Sequence, residues 1–175
     1  MKKCKVCGES FVPSFSTLQP VCAKIECLIQ LWKREREKQS RNEIRSLREK
    51  IKTRTEYLRE LQQIFNQYIR LRDRGKPCIS CGKTLQGKYD AGHYYSVGSY
   101  PNLRFHEDNV HGQCVECNQH KHGNLIEYGI NLPKRIGPKR VQALADSRAG
   151  VLKLTRDEIV EQIKAYKLAV KNLKR

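Results

Sequence analysis

The sequence predicts an α+β, mostly helical protein, with small zinc-stapled modules joined and flanked by long helices. Three observations carry this. Eight cysteines fall into two sets of four at metal-ligand spacing, and the run from Ala23 to Arg74 contains neither Gly nor Pro. Only 38% of the 175 residues are hydrophobic, against 30% charged. A chain of this length holds one modest domain or two small ones, and this composition argues against one large apolar core. Bound metal then replaces part of the missing core.

The cysteine spacings argue against disulfides. The chain starts Met1-Lys2-Lys3-Cys4 with no apolar signal segment, and no stretch approaches the roughly eighteen apolar residues of a membrane span. No membrane partner is expected. The expected compartment is a reducing cytoplasm, where paired cysteines more often hold metal than form bridges.

Residues 1–27 are expected to form an N-terminal Cys4 zinc finger. Cys4 and Cys7 make a Cys-x-x-Cys turn followed by Gly8, while Cys22 and Cys27 enclose four residues, still within known ligand spacing. Phe11 and Phe15 are expected to supply a small apolar lid. Residues 28–74 read as a long basic helix, within one element expected to run from residue 24 to about 73. Apolar positions recur at Leu28, Leu31 and Trp32, then at Ile44, Leu47 and Ile51. A denser group follows at Leu58, Leu61, Ile64, Phe65, Tyr68, Ile69 and Leu71, spaced by threes and fours. Lys33 to Arg41 is almost purely charged, with alternating signs at Glu35, Arg36, Glu37 and Lys38. The stripe after Tyr57 is expected to pack on the module that follows. The first half is left between a spacer and a contact for a homodimer. Gly75 and Pro77 end the helix.

The central module, residues 75–130, holds two Cys-x-x-Cys pairs, Cys78 with Cys81 and Cys114 with Cys117. Each pair chelates from one tight turn. Two such turns complete a closed tetrahedral zinc site with no open position for catalysis. Such a site has no need of Asp90, His93, Arg104, Asn109 and Asn118, which lie between and just after the pairs. The zinc therefore reads as a clamp, and the intervening hairpin as the thing clamped. The donor types there suit phosphodiester hydrolysis. An imidazole is a base with a pKa near working pH, and a carboxylate with an amide oxygen suits a hard divalent cation.

Residues 131–175 are expected to be helical. Pro133, Gly137 and Pro138 are expected to break the chain, with a short helix from Lys139 to about Ser147 and a turn at Ala149-Gly150. Thr155-Arg-Asp-Glu158 is a capping-box signal for a last helix carrying Ile159, Ile163, Tyr166 and Val170 on one face. That helix is expected to close the core or pair with the long one. The charge balance, 35 Lys and Arg against 18 Asp and Glu for a net +17, points to a polyanionic partner, with nucleic acid first.

Asp90-Ala-Gly-His93-Tyr94, Leu103-Arg-Phe105, Asn109-Val110, Gln113-Cys-Val-Glu-Cys-Asn118-Gln-His120 and Gly123-Asn-Leu125 resemble the NinG (Rap) recombination endonuclease family of lambdoid phages. More broadly they are similar to HNH, or ββα-metal, nucleases held by a Cys4 zinc. The match is close over roughly residues 70–130 and looser outside. The resemblance implies an HNH-like ββα-metal module in a metal-dependent DNA endonuclease of the bacterial host cytoplasm. Its implied substrates are branched recombination intermediates, D-loops and Holliday junctions among them. His93 matches the family's first His, the general base. Asn109 matches the middle Asn, which fixes the loop and so orients His93. Asn118 takes the place of the final His or Asn, a metal ligand opening a helix.

Asp90 is the second candidate ligand for the implied Mg2+ or Mn2+. In many relatives that acid immediately precedes the base, whereas here Gly92 does. Alternation along a strand then calls for a bulge or twist at Gly92 to bring Asp90 and His93 to one side. His120 or His111 is the alternative ligand. His106, His111, His120 and His122 otherwise read as surface or phosphate contacts. Arg104, His120 and Lys121 are the DNA-binding candidates, and Tyr94, Tyr95 and Tyr100 read as ordinary strand and loop aromatics. The alternative function is a non-catalytic zinc-finger protein that binds DNA or a replication or recombination partner.

Overall fold

Two short antiparallel hairpins and five α-helices organise residues 1–174, the part described by the computed structural model, with Ile51 described by its backbone alone. The chain falls into two compact units, divided between Lys52 and Thr53. In the first, β1 (Lys2–Lys3) pairs with β2 (Ser10–Phe11). The hairpin closes on a small cluster of Cys4, Val21, Cys22 and Cys27, with Val6, Phe11 and Leu31 packed against it. Phe11 thus forms the expected lid, but Phe15 does not: it is 86% exposed. A core this small has no further face for a second ring to cover.

Helix α1 (Ile25–Ile51) leaves that cluster through Cys27 and Leu31. Beyond them Trp32, Ile44 and Leu47 are exposed. The single helix expected up to residue 73 is in fact two. Lys52 and Thr53 are extended, and Thr53 caps a new helix, α2 (Arg54–Arg72). Its side chain accepts from Glu56 N at 3.3 Å, while Glu56 Oε2 accepts from Thr53 N at 2.7 Å. This reciprocal box satisfies two orphan donors of a helix start. A run without Gly or Pro permits a continuous helix but does not enforce one.

In the second unit α2 buries Tyr57, Leu61, Phe65 and Ile69, one residue per turn on a single face. Complete burial of each apolar side chain contributes about 1.5–3 kcal/mol. The first two pack with Ile159 and Ile163 of α5 (Arg156–Asn172), whose start is capped by Thr155 and Glu158 as the sequence predicts. The last helix therefore pairs with α2. Phe65 and Ile69 instead meet Val110 and Ala91 on the central hairpin. That hairpin is β3 (Tyr89–His93) against β4 (Val110–Cys114), paired continuously from Tyr89↔Cys114 to His93↔Val110.

The end of α2 grips the open edge of β4. Asp73 Oδ2 accepts from Gly112 N at 2.8 Å, and Arg72 Nη2 donates to Val110 O at 2.7 Å. Burial alone would raise the Asp73 carboxyl. Its hydrogen bond and charge pairing with Arg72, with help from Gly112 N–H and Lys76, bring it down to about 2.

Helix α3 (Leu125–Ile136) contributes Tyr128 and Leu132 to a cluster with Ile79, Leu103 and Leu144. Leu144 belongs to α4 (Pro138–Asp146), close to the short helix expected there. Pro133 does not break the chain: it lies inside α3. An interior proline costs about 3 kcal/mol, and the burial of Tyr128 and Leu132 on that helix offsets it. The break falls at Gly137, whose φ of 88° is open to glycine. Among the described residues no helix is long and apolar enough to cross a membrane.

Candidate active site

Both sets of four cysteines converge. Cys4, Cys7, Cys22 and Cys27 form one group, and Cys78, Cys81, Cys114 and Cys117 another, with all ligand sulfurs of a group within 4.8 Å of one another. Cys7 and Cys22 sulfurs lie 3.8 Å apart, as do those of Cys81 and Cys114. A disulfide needs about 2.05 Å. Four sulfurs at about 2.3 Å from one tetrahedral ion lie about 3.8 Å apart. The donor set and spacing fit structural zinc. Backbone N–H groups support the sulfurs, with Val6 N donating to Cys4 Sγ at 3.5 Å and Cys114 N to Cys78 Sγ at 3.4 Å.

His93 closes β3 and is half-buried. Its Nε2 lies 3.0 Å from the carbonyl of Arg104. A carbonyl only accepts, so Nε2 carries the proton and Nδ1 keeps its lone pair. Burial lowers the imidazole pKa and so favours the neutral ring; the Arg104 carbonyl opposes this, and the Arg104 charge adds to it. Arg104 itself is held to α2, its Nε donating to Gln62 Oε1 at 2.6 Å, with the guanidinium over the Phe105 ring.

Asn109 is fully buried. Its Oδ1 accepts from Tyr95 N at 2.7 Å, and its Nδ2 donates to the carbonyls of Tyr95 and Leu103, each at 3.0 Å. The backbone carbonyl of Asn109 also accepts from Tyr94 N at 2.9 Å. One side chain thus ties both ends of the loop between the strands.

The hairpin has no bulge between residues 89 and 93, so Asp90 and His93 point to opposite faces. The expected shared face is not formed. Asp90 instead turns toward the residues after the last cysteine: its Oδ2 accepts from Asn118 Nδ2 at 3.0 Å and Gln119 Nε2 at 2.7 Å. Asn118 sits in a wide helical turn, Glu116–His120, and α3 begins only at Leu125. The amide therefore lies in a separate turn before α3.

Alternation places Asp90 on the face of residue 92, where Gly92 leaves room for a neighbour. Gln113 uses it. A Cβ at residue 92 would collide with Gln113 Oε1, and Gln113 Nε2 donates to Ser80 Oγ at 2.7 Å and Gly123 O at 2.5 Å. The strand is thereby fastened to the first zinc turn. His111, expected at the surface, is buried on this same face, with Nδ1 3.1 Å from Tyr128 OH. The Tyr128 hydroxyl donates to Gly92 O, so it accepts from His111 Nδ1–H. Burial brings His111 down to about 3. His120, His122 and Lys121 are exposed, and Lys121 lies 3.9 Å from Glu116. Tyr94 and Tyr95 stack in tilted contact, and with Tyr100 they pack against the Tyr128 cluster.

Gln62 was not singled out by the sequence, and Gln113 and Gln119 stood in the quoted motif without a role. A lone glutamine carries no spacing signal, and these acquire partners only through tertiary register.

A β-hairpin clamped by a Cys4 site, followed by a helical turn and carrying a tautomer-fixed histidine, defines an HNH-like module. A family model described as "Bacteriophage Lambda NinG protein" matches residues 1–175, and the chain belongs to the NinG family. Protein ninG of Escherichia phage 933W is 39% identical over 159 residues, covering 82% of this chain and 79% of that protein. Protein ninG of Escherichia phage lambda is 48% identical over 94 residues, 54% of this chain and 46% of its own. The Salmonella phage P22 protein is 51% identical over 87 residues, 50% of this chain and 43% of its own. No solved structure matches. Family membership supports a nuclease function associated with DNA recombination.

Proposed function

We propose that this protein is a metal-dependent, structure-selective DNA endonuclease that cuts branched recombination intermediates, D-loops and Holliday junctions among them. The observation that carries the reading is the His93 ring. Its Nε2–H is committed to the Arg104 carbonyl, which leaves Nδ1 as the base. In the proposed reaction Nδ1 takes the proton of a water as its oxygen attacks phosphorus. The bond from phosphorus to the 3′-oxygen breaks, giving 5′-phosphate and 3′-hydroxyl ends, and the leaving oxygen takes a proton from solvent.

Asp90 and Asn118 are adjacent and offer oxygen donors suited to Mg2+ or Mn2+; they would hold the cation, which supplies positive charge for the leaving oxygen. In relatives with the acid immediately before the base, alternation also sets acid and base on opposite faces. Asp90 shares the face of that position. Asn109 keeps the loop, and with it the Arg104 carbonyl, in place. Arg104, His120 and Lys121 would contact phosphates without reading bases. The exposed Trp32, Ile44 and Leu47 of α1 would supply a homodimer contact.

The test is cleavage of a labelled D-loop, a four-way junction and the matching linear duplex by wild type and His93→Ala, with and without Mg2+. Metal-dependent nicking of branched DNA that disappears in the variant supports the reading. Equal cutting of linear DNA removes branch selectivity. No cutting by zinc-loaded wild type favours a non-catalytic DNA-binding protein.

A further inference from the structure

The end of α2 and the chain entering β3 enclose a hollow of about 450 Å³. Three cations line it, Arg70, Arg74 and Lys88, and no carboxylate does. Leu71, Leu85 and Tyr89 add apolar lining. The Tyr89 hydroxyl donates to the Arg70 carbonyl, which ties one wall to the other. Burial and the Asp73 charge raise the Tyr89 hydroxyl pKa, while Arg74 and Arg70 bring it down, so both guanidinium charges lie close to it. Among the described residues no carboxylate pairs with Arg70, Arg74 or Lys88. Asp73 is fully buried and engaged by Arg72, Lys76 and Gly112 N–H. Three like charges around one hollow repel one another, and a bound anion relieves this.

We infer that this hollow holds one phosphodiester of the DNA backbone, away from the phosphate that is cut. The inference rests on the nuclease reading above for its partner and names a second contact with that substrate. A row on α2 joins the two places. Gln62, which holds Arg104, donates through Nε2 to Asn66 Oδ1 at 2.7 Å. Arg70 follows four residues on, and side chains at that spacing share one helix face. From Leu61 to Arg72 the helix carries no acidic residue, so nothing along the row repels a strand. Gln62 and Arg70 are eight residues apart on α2, about 12 Å along its axis. The phosphate in the hollow is therefore not the one at His93. Arg74 and Lys88 are exposed, which leaves the hollow open to a strand that continues past it, and the apolar lining meets the adjoining sugar. Such a contact positions the substrate without reading bases.

The experiment uses full-length, zinc-loaded His93→Ala protein without added Mg2+ or Mn2+, so that binding is read without cleavage. The probe is a labelled four-way junction, with affinity measured between about 50 and 200 mM salt. Adding Arg74→Gln and Lys88→Gln should make the slope of log affinity against log salt shallower by about one. Lys164→Gln with Lys171→Gln removes the same charge from exposed positions on α5 and should leave the slope unchanged. Single methylphosphonates, each neutralising one phosphate of the junction, should then weaken binding at a position other than the cut phosphate. That penalty should vanish when Arg74 and Lys88 are replaced. No change in slope with Arg74→Gln and Lys88→Gln, an equal change with both pairs, or a methylphosphonate pattern unaltered by Arg74→Gln and Lys88→Gln overturns the inference. None of these outcomes touches the nuclease reading, which stands or falls on His93-dependent cleavage.

Discussion

The two Cys4 sites use the same chemistry in different surroundings. Around the N-terminal site the only packed apolar groups described are Val6, Phe11, Val21 and Leu31. Around the second, Leu85 and Tyr89 join the cysteines, and the same unit holds three larger clusters centred on Tyr128, on Leu61 with Ile159, and on Phe65. In the first unit the metal is the core. In the second it clamps a hairpin that α2 also holds through Arg72 and Asp73. Metal dependence should therefore be total in one and local in the other.

The largest expected effect follows directly. Structural zinc contributes about 10–16 kcal/mol in finger peptides, so chelation or Cys22→Ser should unfold β1, β2 and the first turns of α1. Cys117→Ser should release the 78–82 and 114–120 turns while α2 and α5 persist. Amide hydrogen exchange resolves the two units, and equal loss of protection in both would erase the contrast. Next comes Asp73→Ala. It leaves Arg72 and Gly112 N–H without their carboxylate, at a cost of about 3–5 kcal/mol for breaking a buried pair. Urea unfolding followed by exchange should show the loss in the second unit alone.

A smaller effect tests how the hairpin meets its zinc turn. Gly92→Ala should cost about 1–3 kcal/mol, because the new methyl displaces Gln113 from Ser80 and Gly123. In a Gln113→Ala background the same change should cost much less, a non-additivity that a double-mutant cycle measures.

The smallest expected effect is acid sensitivity from His111. Its folded pKa is about 3, below the unfolded value of about 6.5, so between those values the unfolded chain binds the extra proton. Its contribution is complete above about pH 6.5 and declines as pH falls toward 3. At pH 5.5, with zinc in excess, wild type should have lost roughly 1–1.5 kcal/mol from this group. His111→Gln should show a correspondingly shallower pH dependence of urea unfolding.

Much of this was legible in the sequence because it rests on local spacing. The cysteine quartets, the Thr155 cap and the buried stripe of α2 are all local patterns. The Thr53-Arg-Thr-Glu56 box is the same signal as Thr155-Arg-Asp-Glu158, yet it lies inside a run without Gly or Pro whose helix propensity masks a boundary. Pro133 is held in α3 by tertiary packing, which no local rule contains. The site divided the same way. The family motif named His93, Asn109 and Asn118 as candidates, while the regular register that turns Asp90 from His93 toward Gln119 depends on strand pairing. The carbonyl that fixes the His93 tautomer belongs to Arg104, a main-chain partner eleven residues away, and side-chain identity says nothing about it.

The clamped hairpin is proposed to present His93 as a base. Chemical rescue tests it most directly: single-turnover cleavage of branched DNA with Mg2+ by His93→Ala, with and without added imidazole, and with zinc content measured in parallel. The expected result is full zinc occupancy, a loss of about 10²–10⁴-fold in rate, and partial recovery that rises with the concentration of neutral imidazole. Cleavage by His93→Ala at the wild-type rate would contradict it.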